Sequence, residues 1–147
     1  MIYNLLRKAK SKWEVTTISG AAYGFELNAN GYYESNNKGF HNSAAVCRVQ
    51  IHAAKKCTVT FKCINYAEEN HDFGLLGTLD EEQNTGYSDT STNVAKSFKA
   101  SSMESEQTYS YTNVAAGDHF IDVKDRKDGS LNLNNDSLQF TVEITED

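Results

Sequence analysis

The chain has no proline, only three cysteines and nine glycines among its 147 residues, and nowhere 18 consecutive apolar residues. Each shortage excludes something. Without proline, turns fall to residues that tolerate left-handed backbone, chiefly Asn, Asp and Gly. Without a long apolar run there is no membrane-spanning helix, and the short apolar stretch near the start precedes the basic residues, the reverse of a secretory signal. Neither membrane insertion nor signal-directed export is expected. Cys47, Cys57 and Cys63 cannot all pair within one chain, and their spacing fits no zinc site or redox pair. They read as buried thiols acting as small hydrophobes, with a Cys47–Cys57 bridge between neighbouring strands as the alternative. Positive charge is short as well: 20 Asp plus Glu against 14 Lys plus Arg leave a formal net charge of -6. A nucleic-acid partner is not expected, because binding it takes cations that displace phosphate counterions.

What is present suits a single domain. A chain of this length buries roughly 68–70% of its unfolded surface, enough for a core without metals or disulfides. The charge is unevenly placed. Arg7, Lys8, Lys10 and Lys12 are the only charges in the first twelve residues, so the other 135 carry 10 bases against 20 acids. Within that head Ile2, Leu5, Leu6 and Ala9 follow helical spacing and Trp13 continues the stripe. Residues 1–13 therefore read as a basic amphipathic arm and residues 14–147 as the domain.

From Trp13 onward, period-two alternation dominates. Leu138, Phe140, Val142 and Ile144 alternate with Gln139, Thr141, Glu143 and Thr145, as in a strand with one wet face. Cys47, Val49 and Ile51, and then Cys57, Val59, Phe61 and Cys63, do the same; with Ala53 to Lys56 between them, the two runs predict a hairpin. Further strands are expected at Glu14–Ser19, Tyr23–Leu27, Phe73–Leu79, Val94–Lys99, Thr108–Val114 and His119–Lys124. Turn clusters rich in Asn, Asp and Gly separate them, such as Asn28-Ala29-Asn30-Gly31 and Asn36-Asn37-Lys38-Gly39. Eight or nine short strands and no crossover helices predict an all-β fold, an antiparallel β-sandwich of jelly-roll type, with a seven-stranded immunoglobulin-like sandwich as the alternative. The polar segments Leu79–Val94 and Lys99–Glu106 read as long surface loops.

Two stretches carry a resemblance. Cys57–Asp80, CTVTFKCINYAEENHDFGLLGTLD, joins a strand, a Tyr and acidic cluster, and an Asp-aromatic-Gly start to the next strand. Val114–Phe140, VAAGDHFIDVKDRKDGSLNLNNDSLQF, has an Ala-Gly-Asp turn before a strand and Asn-Asp before the last one. Together they resemble β-sandwich modules of tailed-phage virion proteins and related bacterial surface proteins. The resemblance implies a non-enzymatic subunit of a tail, baseplate, fibre or capsid decoration. Such a subunit is made in the host cytoplasm, resides in the virion, and contacts other virion proteins, copies of itself or a host-surface glycan. In that setting Ile2, Leu5, Leu6 and Trp13 would insert into a neighbouring subunit while Arg7, Lys8, Lys10 and Lys12 meet acidic surface.

Chemistry-bearing patterns are few. Sixteen aromatics, eight of them tyrosine, offer stacking faces for sugar rings. Tyr32 and Tyr33 in a glycine- and asparagine-rich stretch, and Tyr109 with Tyr111 on one strand face, are the candidate ligand contacts; packing is the competing role. His41, His52, His71 and His119 show no metal-ligand spacing. Asp122, Asp125, Asp128 and Asp136, and Asp72 with Asp80 and Glu81, could offer oxygens to calcium, but neither spacing matches an EF-hand loop, and turn chemistry accounts for them. No nucleophile elbow, phosphate-cradling glycine loop or metal motif is present, so no catalytic residue, cofactor or metal is assigned. A carbohydrate-binding module is the alternative to the particle subunit.

Overall fold

The computed structural model of the chain describes residues 10–40, 42–66, 73–86, 93–99, 105–127 and 137–147. Among them there is no helix. Ten strands run in the order β1 (Lys12–Thr17), β2 (Phe25–Leu27), β3 (Tyr33–Ser35), β4 (Ser43–Ala53), β5 (Cys57–Asn65), β6 (Phe73–Gly77), β7 (Val94–Lys99), β8 (Glu106–Val114), β9 (Gly117–Lys127) and β10 (Leu138–Glu146). They form two five-stranded sheets, β1-β4-β9-β6-β7 and β2-β3-β10-β5-β8.

The pairing is nested. β6 pairs with β7, β5 with β8, β4 with β9 and β3 with β10, all antiparallel. The last eight strands are thus one long hairpin rolled over on itself, the jelly roll that the alternation predicts. β9 beside β6 and β10 beside β5 complete the two layers, while β1 and β2 extend them at β4 and β3.

Three expectations are corrected. Cys47–His52 and Cys57–Cys63 do not form a hairpin: β4 and β5 lie in different sheets, and Ala53 to Lys56 turn the corner between them. Both runs put alternate residues into the same core, so periodicity alone could not tell a corner from a hairpin. Tyr33–Ser35 is a tenth strand, three residues long and too short to show a pattern. The first strand starts at Lys12, earlier than expected, and Trp13 does not continue a helical stripe: it faces inward with Val15 while Lys12 and Glu14 face out.

Between the layers, Cys47, Val49, Ile51, Val59, Phe61, Leu76, Phe98, Ile121, Val123, Leu138 and Phe140 are buried. Aromatic rings link the second sheet to this core: Phe140 contacts Phe25, Tyr33 and Phe61, and Phe61 meets Tyr111 edge-on. Burying side chains of this size contributes about 1.5–3 kcal/mol each. All three cysteines are buried and free. Glycine admits this packing at two points of β6: a Cβ on Gly74 would stand 2.8 Å from Leu138 Cδ1, and one on Gly77 2.9 Å from the Asp122 carbonyl.

Candidate ligand-binding surface

The segment that follows β6 is a strap. Residues 78–86 fold back over the outer face of the first sheet. Asp80, at φ 63°, donates its N–H to the Phe120 carbonyl at 2.9 Å and accepts from the Phe120 N–H at 3.0 Å. Its second oxygen lies 2.7 Å from His119 Nδ1, while His119 Nε2 lies 2.7 Å from the Ala115 carbonyl. Both partners are acceptors, an arrangement that favours the doubly protonated ring. Partial burial opposes that charge, but the hydrogen bonds to Asp80 and Ala115 outweigh it and hold His119 above its ordinary value.

Further along the strap, Gln83 N–H donates to Asp122 Oδ2 at 2.9 Å, and Lys124 Nζ donates to the Asn84 and Gly86 carbonyls at 2.9 and 2.7 Å. Asp122, fully buried beneath, receives Arg48 bidentately at 2.8 and 3.1 Å. Arg48 also sits 4.2 Å above the Phe120 ring. A groove of about 470 Å³ runs between the strap and Thr17–Ser19, but the charges beside it already satisfy one another. The described part of the expected loop is therefore structural. Asp80 and Asp122 are held by hydrogen bonds and ion pairs and Asp125 accepts from Ser35 at 2.8 Å. Among the described residues no group of three His, Cys, Asp or Glu side chains could hold a metal ion; Asp72, Asp128, Asp136, His41 and His71 lie outside them.

The structure separates the expected ligand-binding tyrosines. Tyr111 is buried, and its hydroxyl donates to the Gly77 carbonyl at 2.6 Å; burial pushes its phenol well up, with Tyr109 adding to the effect. Tyr109 packs edge-on against Tyr111 at 5.1 Å. Tyr33 stacks on Phe140 and meets Trp13 edge-on, each at 5.8 Å. These three belong to the inner face. Tyr32 alone lies on the outer face of the second sheet, its hydroxyl donating to Glu106 at 2.9 Å. Of the expected arm, Trp13 packs on this domain's own core and Lys12 belongs to β1; Lys10 is exposed. Ile2, Leu5, Leu6, Arg7 and Lys8 lie outside the described residues.

An aromatic pair with no place in the sequence-based expectations is better presented. Tyr23 and Phe40 stack at 4.9 Å with planes 26° apart, and Phe40 is 51% exposed. Beside Tyr23 opens a cleft of about 520 Å³, lined by Thr17, Ile18, Tyr23, Glu26, Asn36 and Val46 among others. Both rings sit on pinned backbone. The Tyr23 carbonyl accepts from Val46 N–H at 3.0 Å, and Phe40 N–H donates to Asn37 at 3.0 Å. Asn37, fully buried, donates to Ser43 and to the Asp125 carbonyl, and Ser43 donates in turn to the Phe40 carbonyl. Across the cleft, Asn36 accepts from Gly24 N–H at 2.9 Å and donates to Glu26 at 3.4 Å. The one sequence signal for this site is Phe40 itself, an aromatic directly after the Asn-Asn-Lys-Gly turn.

No protein-family description and no curated protein matches the chain. Solved structures share its architecture. The K1 cleaved adhesin domain of Lys-gingipain from Porphyromonas gingivalis W83 is similar with a TM-score of 0.52 at 10% identity, over 92% of this chain and 90% of that one. The low-affinity xylan-binding module CBM86 of Roseburia intestinalis is similar with a TM-score of 0.41 at 12% identity, over 93% of this chain and 97% of that one. The chain is an all-β sandwich, a fold that it shares with the adhesin domain. At these identities the likeness concerns the fold, and no residue role transfers. Neither likeness links the chain to a phage particle.

Proposed function

We propose that the chain is a non-catalytic attachment domain that binds a carbohydrate in the cleft beside Tyr23 and Phe40. The observation that carries this reading is the pre-ordered aromatic pair, Phe40 exposed and Tyr23 half-buried, next to planar polar side chains. A sugar ring presents C–H faces that pack on an aromatic surface and hydroxyls that pair with carboxylate and amide groups; Tyr23 in the lining, with Phe40 stacked on it, offers the first, and Glu26, Asn36 and Thr17 the second. The cleft's size falls within the range for small-molecule sites, and backbone clamps on both sides remove the ordering cost of binding. Glu26 in the lining and the acidic surplus of the domain favour a neutral sugar over a uronic or sialic acid. The adhesin domain that shares the fold is itself named for attachment.

The particle-subunit reading has the same core, a domain that acts through surface contact. Its finer claim, a place in a tailed-phage virion, draws support from the sequence pattern alone. A glycan array followed by calorimetry tests the proposal: a neutral glycan should bind, Phe40→Ala and Tyr23→Ala should lose it, and Tyr32→Ala, outside the cleft lining, should keep it. Binding that survives both cleft substitutions, or no binding across the array, refutes the cleft as a glycan site.

A further inference from the structure

The cleft and the groove under the strap share a wall: Thr17 and Ile18 line both. Both openings also lie along one strand. Val46 lines the cleft and Arg48 the groove, two residues on along β4 and so about 7 Å apart on the same face. The shared wall is held by a turn, in which Ala21 N–H donates to the Ile18 carbonyl at 3.1 Å. The groove offers little to an ion, because Asp122 meets the charge of Arg48 from beneath and Glu82 stands 80% exposed at the rim, turning anions away. Its hydrogen-bonding groups are another matter. Asp122 engages Nε and Nη2 of Arg48 and leaves Nη1 without a hydrogen bond among the described residues. The hydroxyls of Thr17, Ser19 and Thr85 have no partner there either, and Asn84, whose Oδ1 accepts from Gly86 N–H at 2.6 Å, keeps its amide N–H groups. The backbone that presents them is fixed by the Gln83 N–H bond to Asp122 and by Asn93, which donates to the Glu82 carbonyl at 2.7 Å.

We infer that the ligand is a chain of linked neutral sugars, which seats one unit in the cleft and crosses Thr17 and Ile18 to seat another in the groove. The inference rests on the carbohydrate reading of the cleft and adds the length of the ligand. Hydroxyl groups suit the groove because they both donate and accept, and its lining presents uncharged groups of both kinds beside the Arg48 donor. A monosaccharide meets one opening at a time. A chain meets both, and the second contact costs little, since the linkage has already brought that unit to the groove. Ile18, half-buried between the openings, gives the linkage an apolar surface to pass over.

Calorimetry with ladders of neutral oligosaccharides tests the inference. The probes are the mono- to tetrasaccharides of glucose, mannose, galactose or xylose, in the series that the array returns. Affinity should rise at least about fivefold from the shortest ligand that binds to the chain that spans both openings, the worth of one added neutral hydrogen bond. Ser19→Ala/Thr85→Ala removes two hydroxyls that the fold does not use. This variant should keep the wild-type unfolding midpoint and the affinity for the shortest ligand, and lose the rise. Phe40→Ala should weaken every length. A ladder that is flat in the wild type overturns the inference and leaves the cleft standing, and so does a rise that persists undiminished in Ser19→Ala/Thr85→Ala. Equal weakening of every length in that variant also overturns it, since the groove is then no separate subsite. No binding across the array removes the cleft as a glycan site and the inference with it.

Discussion

His119 Nδ1 and Asp80 Oδ2 meet at 2.7 Å, and the second ring nitrogen of His119 is engaged by the Ala115 carbonyl. This pair fastens the start of the strap to β9, so the strap responds to pH. The folded-state value of His119 is raised, so its stabilisation is complete below the unfolded value of about 6.5 and is lost as pH rises through the folded value. Thermal unfolding followed from about pH 5.5 to about pH 9 should show the wild type losing more stability than His119→Gln. Parallel curves would sink the assignment.

Arg48 is the counter-ion of a carboxylate with no exposure. Arg48→Met should cost about 3–5 kcal/mol, because it leaves Asp122 buried and charged without its cation. Arg48→Met/Asp122→Leu should cost less than the single change, although the Gln83 N–H then loses its acceptor. Urea denaturation of the two variants decides the order.

The glycines of β6 differ in what blocks a side chain. At Gly74 the obstacle is the movable end of Leu138, and at Gly77 it is the backbone of Asp122. Gly77→Ala should therefore destabilise by about 1–3 kcal/mol, the cost of overpacking, and by more than Gly74→Ala. Equal losses in chemical denaturation would show that β6 and β9 can separate freely.

Burial pushes the Cys63 thiol up to about 12, with Glu106 adding to it, and burial likewise raises Cys47, with Asp122 behind it. The thiolate is the reactive form. In the native protein both should resist a thiol-specific reagent at neutral pH, and all three cysteines should react once the chain is unfolded. Rapid labelling of native Cys47 or Cys63 would contradict their placement.

Tyr111→Phe removes the bond to the Gly77 carbonyl and should cost about 1 kcal/mol while leaving glycan affinity unchanged. Phe40→Ala should do the opposite, losing ligand with little change in unfolding midpoint. If both variants lose stability and affinity together, the cleft and the core are not separate systems.

Most of the architecture is legible in the alternation of Cys47–Ile51, Cys57–Cys63 and Leu138–Ile144, because a strand with one buried face imposes period two on its residues. The sheet to which each strand belongs is not legible, since β4 and β5 send the same kind of side chain into the same core from opposite sides. Trp13 shows a related limit: four apolar positions before it suggest a helix, yet its own neighbours Lys12, Glu14 and Val15 already alternate. The site was the least readable part. Tyr109 and Tyr111 share a face as expected, but it is the inner face, and sequence does not tell which side of a strand is wet when both neighbours are polar. Tyr23 and Phe40 meet only because the 18–24 segment is tied to β4 and the 36–40 turn folds back on it.

The nested pairing also sets an order in time. The β6–β7 hairpin closes over the shortest connection within the roll, and each further pair encloses a longer loop, until Leu138 N–H reaches Ser35 Oγ, 103 positions away. Closing such loops is entropically costly and slows folding toward the millisecond-to-second range of non-local β proteins. β2 and β3 join their sheet only through β10, the last strand to be made, and β2 carries one wall of the Tyr23–Phe40 cleft. A chain released unfinished thus has no cleft, and ligand binding doubles as a readout of completed folding.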